Sequence, residues 1–145
     1  MAAIRARLRA LADPRIAGVS RRFFKTGPGE YGHGDRFLGI RVPTLRKVAR
    51  ELRAAPVGVT LALLRAPLHE ERALALLMLV SRYERGTAAE QQRIYAQYLK
   101  LVRKHVNNWD LVDSSAPYIV GAHLLDRDRG TLVKLAHSPD LWERR

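Results

Sequence analysis

Prolines and helix caps punctuate this chain at intervals that suit short helices and leave little room for a sheet. Asp13-Pro14 sets a capping carboxylate before a proline, whose missing N–H costs nothing in a first helical turn. Ile16, Val19 and Phe23 continue the apolar face and predict a helix to about Phe24. Pro43 restarts a helix with Leu45, Val48, Ala49 and Leu52 on one stripe, and Pro56 and Pro67 bracket a short piece carrying Leu61 and Leu64. The stretch from Leu68 to Arg85 is apolar almost all round through its middle, the mark of a helix buried between neighbours, and Gly86 ends it. Thr87-Ala88-Ala89-Glu90 is a capping box opening a helix with Ile94, Tyr98, Leu101 and Val102. Asn107 is placed to cap a short helix holding Trp109 and Asp113. Pro117 starts or kinks the next segment, which runs through Leu125; Leu132 and Leu135 mark another helix, and Ser138-Pro139 opens a last one. Ala2 to Leu11 is basic and amphipathic, but Ile4, Leu8 and Leu11 recur at helical spacing, so it reads as the first helix rather than a targeting peptide. No segment shows strand alternation, and the fold class expected is all-α.

Between the second and third helices, Lys25 to Val42 breaks the pattern with Gly27, Gly29, Gly32, Gly34 and Gly39, and reads as a long loop. These glycines lack the Gly-Lys-Ser/Thr of a nucleotide P-loop. The remaining helices recur as pairs about every 40 residues, a period that suits a helical array better than a closed bundle, though self-similarity between the pairs is weak. With 145 residues the chain has room for a single core, and residues 1–145 are read as one helical domain.

Twenty-six basic residues against 14 acidic give a net charge of +12, which points to a polyanionic partner, nucleic acid first and an acidic membrane surface second. Arginine-rich, alanine-rich composition is also what a GC-rich genome produces, but such bias explains arginine over lysine and not the shortage of acids. Cysteine is absent, which removes thiolate chemistry and is compatible with the cytoplasm, the location expected. His33, His69, His105, His123 and His137 have no metal-ligand spacing, so no metal and no cofactor is expected. His69-Glu70-Glu71-Arg72 reads as a cap with an acidic first turn, and Tyr95 and Tyr98 as packing residues. The longest apolar run, Ala73 to Val80, is far too short to span a bilayer.

One stretch carries chemistry. In Asn107-Asn108-Trp109-Asp110-Leu111-Val112-Asp113 an indole and a carboxylate stand at i and i+4, so on a helix they look out together. An aromatic face beside a carboxylate can stabilise a developing cation. Spacing alone leaves open that Trp109 is core and that Asp113 caps a helix near Pro117, a role open to Ser114 and Ser115 too.

The segment VNNWDLVDSSAP, with SPDLWERR near the end, resembles the AlkD family of DNA alkylation repair proteins, helical HEAT-like-repeat DNA glycosylases. The Phe23-to-Tyr31 segment and Gly39-Ile40-Arg41-Val42-Pro43 also look like that family. The resemblance implies an α-α superhelix of HEAT-like repeats with a concave basic surface. It also implies hydrolysis of the N-glycosidic bond of cationic N3- or N7-alkylated purines in duplex DNA, with Trp109 and Asp113 as catalytic residues. Arg145, three positions after Trp142, would reach the DNA near the lesion, with Arg144 as the neighbouring candidate. Lys25, Arg36, Arg41 and Arg46 are candidate phosphate contacts, against the plainer reading of a surface loop. Family members continue through further repeats, so the resemblance also implies missing C-terminal repeats and self-association through the face left open. A non-catalytic HEAT-like DNA-binding module and a protein-interaction scaffold are the alternatives.

Overall fold

A computed structural model describes residues 1–145, and every regular element in it is helical. The chain forms two compact units, Met1–Met78 and Leu79–Arg145. The first contains α1 (Ala2–Ala10), α2 (Pro14–Phe23), α3 (Val42–Glu51), α4 (Val57–Leu64) and the start of α5 (His69–Arg85). Its core is aliphatic: Leu8, Leu45, Leu63, Leu64, Leu74 and Leu76 are fully or almost fully buried. Truncating any one of them to alanine would cost about 2–5 kcal/mol.

Asp13 caps α2 as its sequence announces, accepting from the N–H groups of Arg15 and Ile16 with Pro14 in the first turn. The loop from Phe24 to Arg41 is tied down by residues distant in sequence. Asp13 N–H donates to the Leu38 carbonyl, and Arg36 forms a single parallel bridge with Leu68. Gly39 has φ +83 and lies so close to α2 that a Cβ there would stand 2.1 Å from the Asp13 oxygen, so only glycine fits.

Glu70 and Glu71 stand in the acidic first turn of α5 as the sequence suggests, and all four residues of His69-Glu70-Glu71-Arg72 are buried. The Glu70 carboxylate accepts from the backbone N–H of Leu38, Gly39 and Ile40 at 2.8, 2.7 and 3.2 Å. Glu71 pairs with Arg5 of α1. Asp35 is gripped between His69 Nδ1 at 2.8 Å and Arg72 Nη2 at 2.6 Å, and the Phe37 ring stacks on His69. Burial alone would push the Asp35 carboxyl up, but the His69 hydrogen bond and the Arg72 charge hold it below the usual carboxylate range. The acidic turn is therefore the staple that closes the long loop onto the helices.

The second unit contains the end of α5, then α6 (Ala88–His105), α7 (Trp109–Asp113), a π-helical turn Pro117–Gly121, α8 (Ala122–Leu124), α9 (Gly130–Ala136) and α10 (Leu141–Arg144). The capping box of α6 is present in full, Thr87 Oγ1 accepting from Glu90 N–H and Glu90 accepting from Thr87 N–H. Helix α6 packs against the π-turn, α8 and α10, with Ile94, Tyr98 and Val102 buried on its inner face. Pro117, which cannot donate a backbone hydrogen bond, opens the wide turn. Behind it His123 is buried, its Nδ1 facing the Tyr83 hydroxyl at 3.1 Å, its Nε2 facing Gln92 Oε1 at 3.0 Å, and its ring stacked on Tyr95. Burial, reinforced by Arg127, pushes its pKa down from 6.5, so the imidazole is neutral at neutral pH. No helix is long and apolar enough to cross a membrane.

Candidate active site

Helix α7 has five residues, far fewer than an isolated helix needs in water, so its position is set by what holds its ends. At its start the cap is Asn108, not Asn107 as the sequence suggested, and the Asn108 side chain is completely buried while its Oδ1 accepts from Trp109 N–H at 2.9 Å. Leu111 and Val112 bury the inward side. At the other end Ser115 Oγ donates to the Leu111 carbonyl at 2.6 Å and stands 2.8 Å from the Tyr98 hydroxyl of α6. Burial pushes the Tyr98 phenol up to about 12, so it stays protonated and able to donate to Ser115. Tyr98 is thus more than packing. A tyrosine on the apolar face of a helix signals a buried hydroxyl in need of a partner, but the sequence does not say that the partner is Ser115.

This clamp presents Asp113 on the outside. Its side chain is 48% exposed, and both carboxylate oxygens are taken by one guanidinium: Arg145 Nε meets Oδ1 at 2.8 Å and Nη2 meets Oδ2 at 2.8 Å. The hydrogen bonds from Arg145, with its charge, hold the Asp113 carboxyl below its usual 3.8, against a smaller opposing effect of burial. Asp113 is therefore an anion throughout the neutral range. Trp109, one turn earlier, is half-buried. Asp113, Arg144, Arg145 and Trp142 line a cavity of about 340 Å³, walled by apolar side chains that include Val112 and Leu135, whereas Trp109 does not line it.

The two terminal arginines part company, as a step of about 100° per helical residue requires. Arg145 reaches Asp113, while Arg144 Nη1 donates to the carbonyls of Ser138 and Pro139 at 2.8 and 2.9 Å. Asp140 caps α10 by accepting from Trp142 and Glu143 N–H, which fixes where both arginines start.

In the first unit Lys25, Arg36, Arg41 and Arg46 are all exposed. Lys25 has φ 53, the left-handed region that a residue with a Cβ rarely enters. Arg41 immediately precedes α3, and Arg46 lies one helical turn into it. No cluster of three or more His, Cys, Asp or Glu side chains is arranged to hold a metal ion.

The family model described as "DNA alkylation repair enzyme" matches residues 4–145. Neither the curated proteins nor the solved structures yield a match.

Proposed function

The chain belongs to the DNA alkylation repair enzyme family, and from that premise we propose that it is a monofunctional glycosylase acting on cationic N3- or N7-alkylated purines in duplex DNA. The observation that carries the proposal is the exposed, ionised Asp113 at the end of a short helix clamped at both ends. Cutting an ordinary glycosidic bond takes an acid for the leaving group and a carboxylate for the sugar cation. A purine alkylated at N3 or N7 already carries positive charge and departs as a neutral base, so the carboxylate alone suffices. Asp113 would stabilise the oxocarbenium-like deoxyribose and orient the attacking water, with the Trp109 face beside the sugar.

DNA is the substrate that the family implies, and a charge of +12 suits it. In this reading Lys25, Arg36, Arg41, Arg46 and Arg145 take phosphates, the helices act as HEAT-like repeats presenting a basic concave face, and the enzyme works in the cytoplasm on the nucleoid. Arg144, held on two backbone carbonyls, is the weaker candidate for a phosphate contact.

The test is release of 7-methylguanine or 3-methyladenine from alkylated duplex by the wild type and by Asp113→Asn. The variant should lose about 100- to 1,000-fold in rate, the range for removing one transition-state electrostatic contact. Its melting temperature and duplex affinity should hardly change, because the carboxylate is exposed and its ion pair lies on the surface. Normal excision by a variant that melts several degrees lower would make Asp113 a structural residue. A wild type that binds duplex but releases no base would favour the non-catalytic DNA-binding module.

A further inference from the structure

Under the glycosylase reading, on which this inference rests, Asp113 has a defect as a catalytic group: in the free protein both of its oxygens face the positive charge of one guanidinium. The Arg145 fork engages both at 2.8 Å, in the bidentate geometry that guanidinium and carboxylate favour. Negative charge directed at a guanidinium is poorly placed to meet a sugar cation.

The same pair is easily exchanged. Its side chains are 46% and 48% exposed, and ion pairs in contact with water contribute only about 0–1 kcal/mol. A phosphodiester presents two oxygens to the same fork and competes for it on equal terms. The neighbouring arginine is engaged elsewhere. Arg144, which lines the same cavity, is held by the Ser138 and Pro139 carbonyls, and Glu143 hydrogen-bonds with Ser138 and faces Arg103 at 4.0 Å.

We propose that Arg145 masks Asp113 in the free protein and that a backbone phosphate of the bound strand, by drawing the guanidinium away, unmasks the carboxylate at the moment a substrate arrives. Arg145 is then a gating residue as well as an anchor. The phosphate contact and the freeing of the carboxylate are one event, so the anion is rid of its counter-charge only where a nucleic-acid strand lies against it.

The experiment follows the Asp113 carboxyl carbon by NMR through a pH titration, in the wild type and in Arg145→Gln, each alone and with an unmodified duplex. In the free proteins the Asp113 pKa should be higher in the variant. Adding duplex should raise it further in the wild type than in the variant, because the negative potential of DNA acts on both but only the wild type has a mask to lose. The wild-type Arg145 Nε–H signal should move along the same DNA titration curve, a readout that needs no substitution. An equal DNA-induced shift in both proteins, or an Arg145 signal that stays put while backbone amides report bound duplex, overturns the gate and leaves the glycosylase reading standing. If no signal anywhere responds to duplex, both readings fall together.

Discussion

Glu70→Gln is the sharpest perturbation of the fold that supports the basic loop. The Glu70 carboxylate is buried and accepts three backbone N–H groups, from Leu38 on one oxygen and from Gly39 and Ile40 on the other. Glutamine is the same size but has one acceptor oxygen. That oxygen can keep Gly39 and Ile40 as neutral hydrogen bonds, and the amide NH₂ then faces the Leu38 N–H, donor against donor. A hydrogen bond to a charged group contributes about 1.5–3 kcal/mol and an unsatisfied buried donor costs about 1–3 kcal/mol. With weakening of the retained pair included, the expected destabilisation is about 2–4 kcal/mol. At roughly 2–4 °C per kcal/mol for a chain of this size, the melting temperature should fall by about 4–16 °C. Thermal and urea unfolding followed by circular dichroism measure the two quantities. A Glu70→Gln protein within about 0.5 kcal/mol of the wild type, the range of ordinary surface substitutions, would refute the claim that this carboxylate holds the loop.

Gly39→Ala should be worse tolerated, because its Cβ meets the Asp13 and Ala17 backbone, which cannot swing away; soluble, cooperatively unfolding protein from this variant would contradict the packing described. Lys25→Gly should remove left-handed strain of about 1–2 kcal/mol against a glycine entropy penalty of about 0.5–1 kcal/mol, leaving the fold slightly more stable while duplex affinity drops; unchanged affinity would remove Lys25 from the phosphate contacts. For His123 the folded pKa lies below the unfolded 6.5, so its contribution is fully present above pH 6.5 and is lost as pH falls through the folded value. Charging it sets the imidazolium near Arg127 and takes away the Nδ1 acceptor facing Tyr83, with Gln92 and Tyr95 on the other sides. Denaturation series at pH 7.5 and 5.5 should show a loss that His123→Gln lacks, and equal losses in both proteins would count against it. Duplex affinity should fall steeply with salt, each phosphate contact adding about 0.9 to the slope of log affinity against log salt, and a flat dependence would remove nucleic acid as the partner.

What the sequence made legible is local. Asp13-Pro14 and the Thr87–Glu90 capping box act within three residues of themselves, so their geometry follows from the order of side chains alone. The choice of Asn107 over Asn108 failed because either side chain can cap, and only burial of the second by the rest of the unit decides between them. The acidic first turn at Glu70 and Glu71 was legible, but its partners were not, for a related reason. Its partners lie 30 or more residues away, and a carboxylate destined for three backbone N–H groups looks the same in sequence as one destined for water.

The site shows the same division at closer range. Residue spacing alone left Trp109 and Asp113 as ambiguous as any aromatic and acid one turn apart, and the resemblance supplied their chemical reading. Geometry then separated the pair, with Asp113 exposed and on the cavity and Trp109 half-buried and off it. It also joined what the sequence had kept apart, since Asp113 and Arg145 stand 32 positions from each other and were read as a catalytic group and a DNA ligand with separate duties. A short helix cannot fix a carboxylate by its own stability. The clamp of Asn108 at one end and Tyr98 with Ser115 at the other does so from buried side chains, leaving the carboxylate itself in contact with solvent. Rigidity and exposure are thus assigned to different residues, and Asp113 can change partners without disturbing the fold that presents it.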